Sequence, residues 1–535
     1  MQLIVTLTFA LSLTVLAVAS SLDLRVKTTS GTYTGFVNAT SAPNVNTWLG
    51  IAYAKPPLGN LRFMPPAPAP YYSGSLTAQA YKPICYQNSG ARSSIYWKLI
   101  PEFLNRDVED EDCLYLNIWA PRNRKPLQDA RPEAKGKGKG KSSASKKRGV
   151  PVIIWIVGGG FKEGGGHALY QVPEKWVGRM QSHIVVTFNY RLHVFGFPGA
   201  SRTAADGNAG LMDVRLLVEW VMDNISGFGG DPNRIILYGQ SAGANIAISY
   251  SYAYPTDPII AGIIATSSGT PFTNPTSSPN FHNLAILAGC PNVTSSTSSS
   301  PLSQEGSDLL CLQSLPASEI QSHVNTLNSD PFRGLFRPIA DNITIFTNLT
   351  DRLVQGQVAK IPLIGGFTYN EQALFLPFDE SMTTAPPAVP VPGGDGLACG
   401  IKREIDRRLT LGGGAANGLR SYRYLFSGNF SNITPRYWLG GMHSSDIPLA
   451  FGTHDQFRGS STELEWQTSF AMQHFWVSFA SNPSADPRNA ALDQTWPLFT
   501  SGQKGQIMVF GNATGLGPSY TASVTVADSY SGPCN

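Results

Sequence analysis

Charge is scarce in this chain of 535 residues. Asp, Glu, Lys and Arg make up 14% of it, against roughly 25% in an ordinary soluble domain. Apolar residues reach 42%, which excludes a disordered chain, since disorder goes with low hydrophobicity and high net charge. Beyond the N-terminal segment, no stretch approaches the ~20 apolar residues of a membrane-spanning helix. Cysteine is sparse as well: there are six, none spaced as CxxC, which argues against zinc and thioredoxin-like chemistry. No internal repeat is found. What is plentiful is glycine and proline, 53 and 39 residues, the mark of a loop-rich globular protein.

The first 19 residues, MQLIVTLTFALSLTVLAVA, carry an uncharged, mainly apolar run from position 3, and Ala17-Val18-Ala19 supplies a small-x-small pattern. This predicts a secretory signal peptide over 1–19, cleaved before Ser20, and a secreted, extracellular mature chain over 20–535. As a signal anchor the run would be short, and polar sequence follows at once. The end, SYSGPCN, resembles neither a retention signal nor a lipid-anchor peptide. The six cysteines suit an oxidising destination and allow three disulfides in any of 15 pairings. Asn38, Asn224, Asn292, Asn342, Asn348, Asn429, Asn432 and Asn512 stand in Asn-X-Ser/Thr sequons. Only some are expected to carry glycans, and Asn224 falls on a predicted helix.

The formal net charge of +4 is unevenly spread. Between Arg122 and Arg148 lie eleven Lys and Arg against only Asp129 and Glu133. That segment holds +9, so the rest of the chain is mildly acidic at −5. Its Gly/Lys/Ser composition reads as a solvated, self-repelling insertion at about 122–149. The alternatives are a weak polyanion-binding arm or a protease-sensitive site at Lys147-Arg148. No nucleic-acid partner and no stable membrane anchor are expected.

Apolar, β-branched runs at 150–157 (VPVIIWIV), 184–188 (IVVTF) and 234–238 (RIILY) read as buried parallel strands. Residues 211–224 (LMDVRLLVEWVMDN) place Leu211, Val214, Leu217, Val218 and Val221 near one helical face. Strands alternating with helices predict an α/β architecture: a mostly parallel sheet covered on both sides, in a single large domain. The Ser-rich stretch 293–308 and the Pro-rich stretch 381–396 read as surface loops.

Directly after RIILY comes Gly239-Gln240-Ser241-Ala242-Gly243, then the helical ANIAISY. The pentapeptide alone is weak; its strand-to-helix setting makes it specific. A sharp turn there strains the serine backbone, leaves no room for side chains two residues away, and projects Oγ above the sheet. The following helix N-terminus offers free amides to developing negative charge. A second donor source is Gly158-Gly159-Gly160-Phe161, which follows the strand at 150–157. Bare glycine amides of Gly159 and Gly160, with Ala242, form a candidate oxyanion hole. A dinucleotide loop is discounted, because no acidic ribose ligand stands at the required spacing.

The ordered motifs resemble the type-B carboxylesterase/lipase family, the cholinesterase-like branch of the α/β-hydrolase fold, and most of all its secreted fungal members. They span nearly the whole mature chain: LGIAYAKPPLGNLRFMPPAPAP at 49–70, EDCLYLNIW at 111–119, WIVGGGF, FNYRLHVFGF, GNAGLMDVRLLVEWVMDNISGFGGDP, GQSAGA and GMHSSDIPLAFGT. The resemblance implies Ser241 as nucleophile, Glu371 in LIGGFTYNEQALFL as the acid, and His443 in GGMHSSDIP as the base. It also implies disulfides Cys85–Cys113 and Cys290–Cys311, leaving Cys399 with Cys534, and a structural Arg62–Glu111 ion pair. Ser268, in TSSG, is expected to support the acid.

Two positions depart from the family pattern. Gln240 stands where Glu commonly precedes the nucleophile, and Val157 stands where His or Tyr often precedes the glycines. The implied activity is hydrolysis of a small-molecule or lipid ester through an acyl-enzyme, with no metal and no organic cofactor; the oligomeric state is not legible. The loop from Cys85 to Cys113, with the apolar stretch 95–100 (IYWKLI) at the cavity entrance, is short for an amphipathic lid. That favours a carboxylesterase over a lid-gated triacylglycerol lipase. An inert cholinesterase-like binding protein is disfavoured because all three triad positions are filled.

Overall fold

A computed structural model describes residues 24–88, 95–122, 149–199, 207–268, 280–291, 304–327, 336–376, 378–379, 381–384, 396–500, 505–511 and 522–526. The expected signal peptide, almost all of the basic segment, most of both predicted surface loops, Asn292, Asn512 and Cys534 lie outside them. The strands flanking the basic segment, Tyr115–Pro121 and Val150–Ile156, make it a strand-to-strand connection.

Ten strands form one sheet. In chain order they are β1 Val45–Ala52, β2 Tyr115–Pro121, β3 Val150–Ile156, β4 Ile184–Phe188, β5 Gly230–Gln240, β6 Gly262–Thr266, β7 Leu363–Thr368, β8 Ser421–Phe426, β9 Gln506–Phe510 and β10 Ala522–Val526. Their spatial order is β10-β9-β8-β7-β6-β5-β3-β4-β2-β1. The run from β9 to β4 is parallel, while β2, β1 and β10 pair antiparallel at the two edges. A small three-stranded sheet (Arg25–Thr28, Gly31–Thr34, Tyr72–Thr77) lies apart from it. This is the α/β-hydrolase fold expected from the sequence.

Both faces of the sheet are buried, which is why its central strands read as unbroken apolar runs. In β3, Val152, Ile154 and Ile156 enter one core cluster, whereas Ile153 and Trp155 enter the other. The first cluster takes the apolar sides of helices α1 (Ala209–Asn224), α2 (Ala242–Ala253) and α3 (Gly396–Thr410). The second takes helix α4 (Glu463–Ser481), through residues such as Phe475 and Trp476. A capping box fixes where α4 starts: Thr462 Oγ1 accepts from Glu465 N–H while the Glu465 carboxylate accepts from Thr462 N–H.

Cys85–Cys113 and Cys290–Cys311 are joined as expected, and Cys399 is disulfide-bonded. Arg62 and Glu111 form a buried bidentate pair at 2.6 and 2.7 Å. The same guanidinium donates to the carbonyls of Leu312 and Leu315, both at 2.7 Å. A second buried pair, Arg191–Asp213 at 2.6 Å, pins the segment after β4 to α1; the sequence reading did not single it out. Two sequons are not open: Asn224 and Asn432 are buried, and their side chains are bonded to Thr29 and to the His454 carbonyl.

Candidate active site

Ser241 sits between the last residue of β5 and the first residue of α2, with φ 55° and ψ −120°. Positive φ disfavours L-residues, and the surroundings hold it there. A Cβ on Gly239 would stand 2.2 Å from the Gly243 carbonyl oxygen, and one on Gly243 would stand 2.0 Å from that of Ile156. Only glycine fits either place, so the pattern is a steric consequence of running a strand into a helix against β3.

The loop Gly158–Gly164 borders the same space. Gly159 (φ +106°) and Gly160 (φ +64°) turn the chain sharply, and the N–H groups of Lys162 and Glu163 both bond back to the Gly159 carbonyl at 3.1 Å. Although Val157 replaces the usual His or Tyr, the loop is well held. Tyr190 Oη donates to the Val157 carbonyl (3.0 Å), Gln87 brackets Gly164 through both amide atoms (2.6 and 2.9 Å), and Asn88 N–H donates to the Lys162 carbonyl (2.7 Å).

Glu371 begins a short 3₁₀ turn just after β7, and His443 lies in the loop before a short helix at Ile447–Phe451. His443 Nδ1 and Glu371 Oε2 are 2.5 Å apart, and both side chains are buried. The other carboxylate oxygen accepts from Thr368 N–H at 2.7 Å. Ser268, expected to support the acid, donates its hydroxyl to Asn245 Oδ1 at 2.7 Å. Asp446, three residues past His443, is buried and accepts from Tyr424 Oη at 2.8 Å. Burial pushes its carboxyl up to about 6, against the lowering effect of that hydrogen bond.

Ser241, Ala242, Gly159, Gly160 and His443 all line one cavity of about 250 Å³. No hydrogen bond joins Ser241 Oγ to His443 among the described residues. His443 Nε2 is instead met by Gln240 Nε2 at 3.0 Å, a contact the sequence reading did not anticipate. Tyr96 and Trp97 wall the cavity, as expected for the Cys85–Cys113 loop, but Ile95 and Ile100 turn into the core and are no part of an apolar entrance. The wall also carries polar groups that the sequence reading missed, among them Asn88, Lys162, Glu163, Gln171 and Arg337. Burial pushes the Glu163 carboxyl up, opposed by Lys162 and a hydrogen bond from Trp97. Lys162 and Glu163 belong to the Gly158–Gly164 loop, and the other polar groups of the wall come from distant parts of the chain.

Comparison with known proteins matches residues 22–387 to the model of the carboxylesterase family. The chain is 39% identical to a chlorogenic acid esterase of Aspergillus niger, over 91% of this chain and 90% of that protein. It is 35% identical to secreted lipase 5 of Gibberella zeae, over 86% of each. It is 26% identical to an acetylcholinesterase of Bungarus fasciatus, over 94% of this chain and 85% of that one. No helix among the described residues is long and apolar enough to cross a membrane.

Proposed function

From the premise that the chain belongs to the carboxylesterase family and is a carboxylic ester hydrolase, we propose that it works through an acyl-enzyme with Ser241, His443 and Glu371 as its triad. One observation carries the reading: a buried imidazole, held by a carboxylate at 2.5 Å, faces the same cavity as a serine on a strained strand-to-helix turn.

Ser241 Oγ attacks the ester carbonyl as His443 Nε2 takes its proton, and Glu371 stabilises the charged imidazole and fixes its tautomer. The amides of Gly159, Gly160 and Ala242 bind the oxyanion, an arrangement in which one donor is worth about 10²–10³ in turnover. The imidazolium then protonates the departing alcohol, and the neutral base activates water for deacylation. Ser241→Ala is expected to lower turnover of a p-nitrophenyl ester by at least about 10⁴-fold. Wild-type turnover in that variant would refute the assignment, and stoichiometric labelling by an organophosphonate separates the enzyme from an inert binding protein.

The substrate is a small soluble ester rather than a long-chain glyceride. The polar groups on the wall and the short Cys85–Cys113 loop favour this, as does the relative named for chlorogenic acid. The relative named as a lipase keeps the alternative in play. A sharp rise in rate above the critical micelle concentration of a triglyceride would decide for the lipase. The uncharged run at 3–19 supports secretion through a cleaved signal peptide, which N-terminal sequencing of the exported protein checks.

A further inference from the structure

One hydrogen bond in the cavity has no part in the acyl-enzyme scheme. Gln240, buried just before the nucleophile, directs Nε2 at His443 Nε2 (3.0 Å) and at Ser444 Oγ (2.7 Å). Its partners fix which way the amide faces. With Glu371 on Nδ1–H, a neutral imidazole offers only a lone pair at Nε2, and an N–H must fill it. Ser444 Oγ takes the second amide hydrogen and also accepts from Tyr96 Oη at 2.6 Å. The amide oxygen is turned toward Gly158, where a Cβ would stand 2.4 Å from it. Both amide hydrogens are therefore engaged, one of them on the lone pair that has to receive the Ser241 proton.

We infer that Gln240 is a positioning residue that holds His443 in its neutral, proton-accepting form and so carries ester hydrolysis to lower pH than a carboxylate at this position would allow. The inference rests on the triad reading above. A donor on Nε2 stabilises only the neutral imidazole; once that nitrogen carries a proton the bond is gone. Hydrogen bonding to the neutral form disfavours the charged one, whereas an opposite charge nearby favours it. The sign follows: the amide moves the acid limb of the rate profile down, and a carboxylate in its place moves it up.

Other charged or titratable groups surround the imidazole without reaching Nε2. Glu371 holds the opposite nitrogen, and Asp446 lies three residues on beneath Tyr424. Tyr96 donates to the His443 carbonyl at 3.1 Å. Glu163, Lys162 and Arg337 stand on the cavity wall. None of these differs between the enzyme and a variant at position 240, so the comparison isolates the amide.

The test measures kcat/KM against pH for a soluble p-nitrophenyl ester, using wild type, Gln240→Glu and Gln240→Met, each titrated with a fluorophosphonate so that rates refer to competent sites. Gln240→Glu is expected to move the acid limb up by about one pH unit or more. Its loss at the acid end then exceeds its loss at the alkaline end by at least tenfold. Gln240→Met, which removes the donor and adds no charge, is expected to lower kcat at unchanged KM and to move the limb less than the Glu variant. A Gln240→Glu profile that superimposes on wild type overturns the inference, and so does a drop uniform across pH, which is the mark of a purely structural role. Failure of the wild-type enzyme to take up the fluorophosphonate would overturn the triad reading instead, whatever the profiles.

Discussion

Two glycine-rich turns converge on Ser241, and they use glycine for different reasons. In the turn from β5 to α2, Gly239 and Gly243 are required by backbone atoms that would lie within 2.2 Å of any Cβ. Their place is set by the junction of β5 with α2 and by the neighbouring β3. In the loop Gly158–Gly164, the requirement varies from residue to residue. A Cβ on Gly159 would stand 1.9 Å from the Glu163 carbonyl oxygen within the loop itself, while at Gly160 the nearest atoms are Lys162 methylenes at 3.8 Å. The first turn is built by the fold. The second is built by its own curl and held from outside by Gln87, Asn88 and Tyr190.

Three substitutions test that contrast, in falling order of effect. Gly243→Ala forces a methyl to within 2.0 Å of the Ile156 carbonyl oxygen and is expected to be the most damaging, at or above the upper end of the ~1–3 kcal/mol typical of overpacking; circular dichroism with active-site titration reads it. Gly159→Ala must displace the loop and its amides while the core stands. Turnover is expected to fall about 100-fold, the effect of losing one oxyanion donor, with only a small change in Tm. Gly160→Ala meets only ordinary contact with Lys162 methylenes but a left-handed φ, which costs about 1 kcal/mol. A Tm lowered by about 2–4 °C with less than a tenfold loss of turnover is the expected result. Equal collapse in all three would erase the distinction between the turns, and a Gly159→Ala enzyme with full turnover would remove that glycine from the oxyanion site.

The strands β3, β4 and β5 were legible because burial on both faces leaves a continuous apolar signature. The run at 184–188 is β4 to the residue, and that at 150–157 overshoots β3 by one. The run at 234–238 is only the inner part of β5, whose first residues, GDPN, look like a turn yet continue the strand. Strands such as β1, β6, β7 and β8 to β10 were not read: β8, SYRYLF, alternates polar and aromatic residues over its first four positions, and its polar positions are buried by tertiary contacts that no local pattern reveals.

The site divides in the same way. Ser241 was legible because its constraints are local. Glu371 and His443, 72 residues apart, came only through family resemblance. The bonds from Gln240 to His443 and from Tyr96 to Ser444 join residues 203 and 348 positions apart, beyond any periodicity argument. The bond from Ser268 to Asn245, 23 positions apart, was likewise not legible from the local sequence.

Arg62 has a consequence for protein engineering. Its guanidinium grips Glu111, two residues before Cys113, and at the same time the carbonyls of Leu312 and Leu315, just beyond Cys311. The segments that close the two disulfide loops therefore share one interior fastener. A chimera that imports residues 85–113 from a relative, in order to change what the cavity admits, inherits a register set by the host at positions 312–315. Such a swap keeps the bidentate pair only where the imported segment carries a carboxylate at position 111; without one, the buried Arg62 charge loses its counter-ion.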